Sequence, residues 1–167
     1  MKIKSTLTDT DGIVVHVTYE DTDSFDSLLS KNVTQSYGIC FCDSKLVIAY
    51  HKKKDHWTHI GGSIEKGETY EECLKREVRE ESNMKITSFK PIGYQEVQID
   101  DKLIYQLRYA CIVEPYGDFV SDPAGSVTEI KLIDPKDYKQ YFDWLKIGDR
   151  IMERALEMLS KYNKKLC

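Results

Sequence analysis

The sequence predicts an α/β fold, with a mixed β-sheet held between helices as an α/β/α sandwich. Two observations carry most of this expectation. Segments rich in β-branched and aromatic residues, such as 13–19 (IVVHVTY) and 45–51 (KLVIAYH), recur between turn signals. Two helices are separately marked: one opens directly behind the glycines Gly61, Gly62 and Gly67, and one closes the chain. That last helix has a clean apolar stripe of Ile147, Ile151, Ala155, Met158, Leu159 and Tyr162, the pattern of an element lying on a sheet.

Bulk properties bound the function. A chain of 167 residues is one domain with room for a real core. We divide it into an N-terminal extension (1–34), a core (35–147) and a C-terminal helix (148–167). The content is 41% hydrophobic and 31% charged, and the net charge is −4, so no global basic field recruits nucleic acid. Five cysteines, Cys40, Cys42, Cys73, Cys111 and Cys167, are an odd number set mostly in apolar runs, as expected of reduced core thiols. No signal peptide or apolar run of membrane length is seen, which implies a cytoplasmic protein off the membrane.

In chain order, 2–7 and 13–19 flank the turn cluster Thr8-Asp9-Thr10-Asp11-Gly12 and read as a hairpin. Asp23 or Ser24 caps a short helix carrying Phe25, Leu28 and Leu29. This extension finishes the sheet, covers a substrate site or forms a homodimer interface; the pattern does not choose. Residues 36–43 and 45–51 form a second hairpin, followed by the basic loop Lys52–His56. After the glycine-led helix, strands 85–89 and 92–99 are broken at Pro91 and Gly93. In 102–113, Leu103, Tyr105, Leu107, Tyr109 and Cys111 share one face; Gln106 and Arg108 lie on the other, lining a pocket or facing solvent. A loop over 114–126, long enough to suggest a function, leads to a return strand at 127–133, and Asp134-Pro135 starts a helical turn.

The chemistry concentrates at Gly61–Met84. Thr69 and Glu72 form a capping box, and Asn83 tolerates the left-handed backbone needed past the helix end. At about 100° per residue, Glu77, Glu80 and Glu81 share a sector with Tyr70, Cys73 and Leu74, so an inward stripe turns from apolar to acidic. Like charges at i,i+4 and near a helix C-terminus both destabilise the fold. A solvated acidic face is the ordinary reading of such a charge run, but these acids point inward. A hard divalent cation accounts for them.

These residues carry a resemblance. Gly62, Glu68, Arg76, Glu77, Val78, Glu80, Glu81 and Met84 fit the Nudix box, GX5EX7REUXEEXGU, over 23 of the 167 residues, with Asn83 in place of its last glycine. The resemblance implies Mg²⁺- or Mn²⁺-dependent hydrolysis of a diphosphate linkage in a nucleoside diphosphate derivative or nucleoside triphosphate. Glu77, Glu80 and Glu81 would be the metal ligands, with one doubling as base. Glu68 would support the metal through water, and Arg76 would orient the glutamates. Gly61 and Gly62 would let the loop approach the phosphates. Relatives carry an aromatic where Trp57 stands, and Lys53 and His59 flank the same loop, so all three join the substrate-binding candidates. In relatives the region of Glu129 sometimes supplies a further ligand or base, with Asp118 and Asp122 as competitors. His51, His56 and His59 fit no zinc spacing and read as a surface loop with one or two substrate-facing histidines. Two other readings remain: a nucleotide-sensing binding module without catalysis, against which the complete set of acids argues, and the diphosphate isomerase chemistry of the same fold.

Overall fold

A computed structural model describes residues 1–8 and 13–166, so the turn Asp9–Gly12 and Cys167 lie outside the described residues. A nine-stranded sheet runs in the order β1-β2-β7-β8-β3-β4-β5, with β6 added to β3 and β9 to β4. The strands are β1 (Lys2–Thr8), β2 (Val14–Glu20), β3 (Val33–Cys42), β4 (Lys45–His51), β5 (His56–Thr58), β6 (Ile60–Ser63), β7 (Met84–Ile99), β8 (Lys102–Pro115) and β9 (Val127–Ile133). All pairings are antiparallel except β3 with β8, which makes the sheet mixed. Helix α1 (Tyr70–Ser82) covers one face and α2 (Leu145–Leu166) the other, which is the predicted sandwich.

Each face has its own core. Leu74 and Val78 of α1 pack with Val47, Ile60, Leu107 and Tyr109. Ile151, Ala155 and Leu159 of α2 pack with Ile39, Phe41, Ile48 and Ala110. Period-two alternation along β8 sorts the two sets: Tyr105, Leu107, Tyr109 and Cys111 face α1, while Arg108 and Ala110 face the other side. Cys40, Cys42, Cys73 and Cys111 are free and buried, as their apolar settings predict.

Three expectations are corrected. The segment 84–99 is one strand, not two; register shifts at Ile86/Ser88 and Pro91/Gly93 absorb the break signals as bulges in pairing with β8. Gly93 is required there because a Cβ would sit 2.3 Å from the Tyr19 hydroxyl, which donates to the Ile92 carbonyl at 2.9 Å. The first two glycines pair, as β6 on β3, and just before them β5 pairs on β4, since buried backbone needs partners. The last helix opens at Leu145 rather than 148, where the Asp143 carboxylate accepts the Leu145 amide at 2.8 Å.

The N-terminal extension finishes the sheet. β2 pairs with β7 along Val15–Glu20, and β1 closes the edge. Arg150 of α2 then clasps Asp21 through three contacts of 2.7–3.1 Å, and Arg154 pairs with Asp23 at 2.5 Å. The expected cap is not formed: the short 3-10 turn Asp26–Leu28 has Phe25 at its N-cap with no side-chain cap bond, and the Ser24 hydroxyl accepts the Asp26 amide at 3.1 Å just ahead of it. Among the described residues no helix is long and apolar enough to cross a membrane.

Candidate active site

Helix α1 is set by its caps. Thr69 and Glu72 bond each other's backbone amides at 3.2 and 2.8 Å, and Asn83 adopts φ 54°, ψ 39° while its amide donates to Arg79. Asn83 also donates from its side chain to the Asp118 carbonyl at 3.0 Å, tying the 116–126 loop to the helix end. A glycine could not make that bond.

The caps place the acidic turn against the glycine strand. Glu81 is buried, and one of its oxygens accepts the Gly61 amide at 2.9 Å. Its other oxygen lies 3.6 Å from His51 Nε2. Burial, with Glu77 and Asp122 nearby, pushes the Glu81 carboxyl up to about 8. The Glu77 carboxyl lies against Gly62, where a Cβ would come within 2.6 Å of its oxygen, so only glycine leaves room. Gly61, at φ +142°, is held even closer, since a Cβ would meet the Ser36 carbonyl at 2.3 Å.

Arg76 answers this charge. Its guanidinium grips Glu68 at 2.8 and 3.0 Å and reaches Glu77 at 2.9 Å, Glu80 at 3.2 Å and the Ser63 carbonyl at 3.0 Å. The partners respond differently. At Glu68 the Arg76 bond wins and holds the carboxyl down. At Glu77 burial outweighs the same guanidinium and the carboxyl is pushed up. Arg76 lies one turn before Glu80 on the flank of the acidic face, and its long stem brings the guanidinium to Glu68, Glu77 and Glu80.

Among the described residues, no three carboxylate, imidazole or thiol groups converge tightly enough to hold one ion as they stand. Glu77 and Glu80 turn to Arg76, and Glu81 turns to Gly61. The donors are nonetheless the hard oxygens that Mg²⁺ or Mn²⁺ takes, and Glu81 and Glu77 remain under-compensated despite Arg76. In donor type and in uncompensated charge the set fits such a cation.

Asp122 joins the cluster from the 114–126 loop. It is buried and accepts the amides of Ala124, Ser126 and Val127 at 2.9–3.1 Å, which hold its carboxyl low. Glu129 lies elsewhere, exposed on β9 opposite Tyr50 and paired with Lys131 at 3.7 Å. Asp118 is exposed and meets Asn83 through its backbone.

Beside Gly61 and His51 opens a cavity of about 690 Å³ on the α2 face of the sheet. Tyr37, Gln95, Gln106 and Arg108 contribute to its lining, with Val15, Val17 and Val97 along the sheet, Asp143 and Trp144 just before α2, and Leu145 and Ile147 in its first turn. Lys54 and His56 stand at the charged end rather than Lys53. Trp57 packs its ring on Tyr141 at 5.7 Å under the Lys131 ammonium at 4.4 Å, and His59 is fully buried against Phe142 and Trp144. Both lie outside the cavity lining. Burial drives the His59 imidazole down to about 3, so it is neutral.

Sequence reasoning left Asp122 among competing acids and Gln106 and Arg108 between pocket and solvent, and it missed Tyr37, Gln95 and Trp144. Alternation on β8 was the one signal pointing to the cavity.

The NUDIX domain model matches residues 33–155. The chain belongs to the Nudix family. The NAD-capped RNA hydrolase NudC of Vibrio atlanticus (strain LGP32) is 38% identical over 55 residues, 32% of this chain and only 20% of that relative's length. In fold, the chain is similar to the Bacillus subtilis pyrophosphohydrolase BsRppH, in a mutant form, at TM-score 0.70 and 19% identity, over 92% of this chain and 97% of the other. It is also similar to the NUDIX domain of Shewanella oneidensis NrtR, solved with ADP ribose, at TM-score 0.60 and 15% identity over 80% and 92%. The matched range begins at β3, so the clasped N-terminal hairpin lies outside the family model.

Proposed function

We propose that this Nudix hydrolase cleaves a diphosphate linkage in a nucleoside diphosphate derivative or a nucleoside triphosphate, with Mg²⁺ or Mn²⁺. The observation that carries this reading is the buried Glu81, beside Glu77 and Asp122, bonded to the amide of Gly61, which itself lines the cavity. A fold gains nothing from confining these acids together. Glu77, Glu80 and Glu81 would hold the cation, with Glu68 supporting them from the Arg76 clamp. The cation, when bound, neutralises phosphoryl charge and makes water a stronger nucleophile.

The remaining work falls to the chain. Arg76 keeps Glu68, Glu77 and Glu80 in register. Gly61 and Gly62 let phosphate oxygens approach the backbone. Water attacks phosphorus, the anhydride P–O bond breaks, and the water proton passes to Glu81 at the oxygen facing His51. Both products leave as phosphate esters, phosphate or pyrophosphate, according to which linkage is cut.

A panel of nucleoside triphosphates, nucleotide sugars and dinucleotides, assayed with Mg²⁺ and with Mn²⁺ for released phosphate or monophosphate, tests the reading. Turnover of at least one member is expected. Binding without turnover across the panel would leave a nucleotide-sensing module instead.

A further inference from the structure

A second cleft meets the acid cluster. A groove of about 770 Å³ runs between the flank of α1 and the 116–126 loop. Arg76 and Glu80 line it, with Lys75 and Arg79 from the same helix and Tyr116 from the loop. Met84 and Ile86 at the start of β7 add apolar surface, as does Pro123 of the loop. Of all these residues the proposed mechanism uses only Arg76 and Glu80. We propose that the groove holds a second nucleoside of the substrate, stacked on Tyr116, so that the substrate is a dinucleotide joined through its phosphates. This choice deepens the hydrolase reading above and rests on it.

Position is the first argument. Glu81 accepts the Gly61 amide and lies 3.6 Å from His51, and both of those residues line the cavity on the α2 face. Glu80 lines the groove, and Arg76 bridges it to Glu77 by bonds of 3.2 and 2.9 Å. The acid cluster therefore lies between two clefts. A phosphate bridge held there sends one end toward each. A nucleoside triphosphate has a nucleoside at one end only and would leave one cleft without a ring.

The chemistry of the lining is the second. Among the described residues Arg79 has no carboxylate within ion-pair distance, and its guanidinium carbon lies 5.5 Å from the centre of the Tyr116 ring. Lys75 likewise rests over a ring, that of Phe89, at 5.4 Å. The remaining cation, Lys85, is paired with Glu114 at 3.2 Å, and Glu80 and Asp118 are the acids of the lining. Two cations one helical turn apart, neither met by an acid, suit the phosphate beyond the scissile bond. Tyr116 is 60% exposed, which leaves ring area that Arg79 does not cover. Its backbone is already fixed, since its amide donates to the Asn83 carbonyl at 2.9 Å and the Asn83 side chain holds the Asp118 carbonyl at 3.0 Å. Every nucleobase has a π-face, so such a wall accepts a purine or a pyrimidine alike.

Calorimetric titration of the intact protein, with Mg²⁺ and uncleavable methylene-bridged diphosphates, tests this without turnover. One probe carries adenosine at both ends, a second carries adenosine and glucose, and a third carries adenosine alone. The first should bind roughly 5- to 150-fold more tightly than either of the others, the range of one base–aromatic stack. Tyr116→Ala should erase that advantage and leave the third probe unchanged, whereas Tyr116→Phe should keep it. If the alanine variant does not fold, Tyr116→Leu takes its place, keeping apolar bulk without the ring. Equal binding of the three probes, or binding of none, overturns the proposal. So does an advantage that survives loss of the ring, which would put the second base elsewhere. Because no probe can be cleaved, the result is separate from the hydrolysis panel. Turnover confined to triphosphates in that panel would sink the dinucleotide and leave the hydrolase reading intact.

Discussion

The acidic cluster on α1 and the floor of the cavity sit two strands apart, yet they settle their charges in opposite ways. Glu68, Glu77 and Glu80 are met by Arg76, and all four residues come from one stretch of 13 residues that folds as a capped helix and its leading loop. Arg108 draws its neighbours from β3, β7 and β8, and none of them is an acid. The first cluster is over-supplied with negative charge and restrained by one cation. The second is a cation restrained by dipoles and rings. Where compensation is local the fold retains its own partner; at Glu81 and at Arg108 it is incomplete.

Removing the incomplete member of the first cluster should have the largest consequence. Glu81→Gln keeps the oxygen that accepts the Gly61 amide but loses the carboxylate proposed as metal ligand and proton acceptor. Turnover should fall by orders of magnitude. The metal-free protein should melt no lower than the parent, and Mg²⁺ should raise its melting temperature less. Undiminished turnover would detach the cluster from the chemistry.

Paired neutralisation of the two arginines breaks the comparison directly. Arg76→Met leaves three carboxylates facing one another and should cost about 2–4 kcal/mol in urea unfolding, somewhat below a fully buried case because the cluster is partly exposed. Arg108→Met removes a buried charge without an acid partner and should stay within about 1 kcal/mol of the parent, lost amide bonds offsetting relieved desolvation. Similar costs for both would show that Arg108 is a structural ion like Arg76.

Metal-free stability against pH sharpens the first half. The Glu81 carboxyl is raised from its ordinary 4.5 to about 8, so between those values the folded state keeps a proton that the unfolded chain releases, and stability falls as pH rises. His51 and His59 are lowered from 6.5, so they resist folding below 6.5 and pull the other way there. A clean decline, on the order of a few kcal/mol at most, is therefore expected from about pH 6.5 to 8. Glu81→Gln or saturating Mg²⁺ should flatten it. A flat parent profile without metal would mean that Glu81 is already compensated.

The smallest effect belongs to the helix end. Asn83→Gly keeps the left-handed cap and loses the tether to Asp118, a change under about 1 kcal/mol. Asn83→Val loses both and should cost more, because a β-branched residue fits φ 54° badly. Equal melting of the two variants would show that the tether, rather than the backbone angle, is what Asn83 contributes.

By itself the sequence determined what is local. The capping box, the left-handed Asn83, the inward acids of α1 and the apolar stripe of α2 follow from neighbours within a few residues, where helix periodicity leaves one arrangement. The sandwich follows from those elements, since each apolar face needs a sheet to cover it. Pairing partners were decided elsewhere. Pro91 and Gly93 read as a break until β8 lay alongside and took them up as a bulge, and the hairpin's role stayed open until Asp21 met Arg150 across 129 residues. Tertiary structure alone brought Asp122, and not Asp118 or Glu129, near Glu77 and Glu81, and it alone turned Arg108 inward beside Gln95, Gln106 and Tyr37. Which side chains share a cavity depends on strand order, and strand order comes from the burial of whole faces, a quantity no single stretch of chain contains.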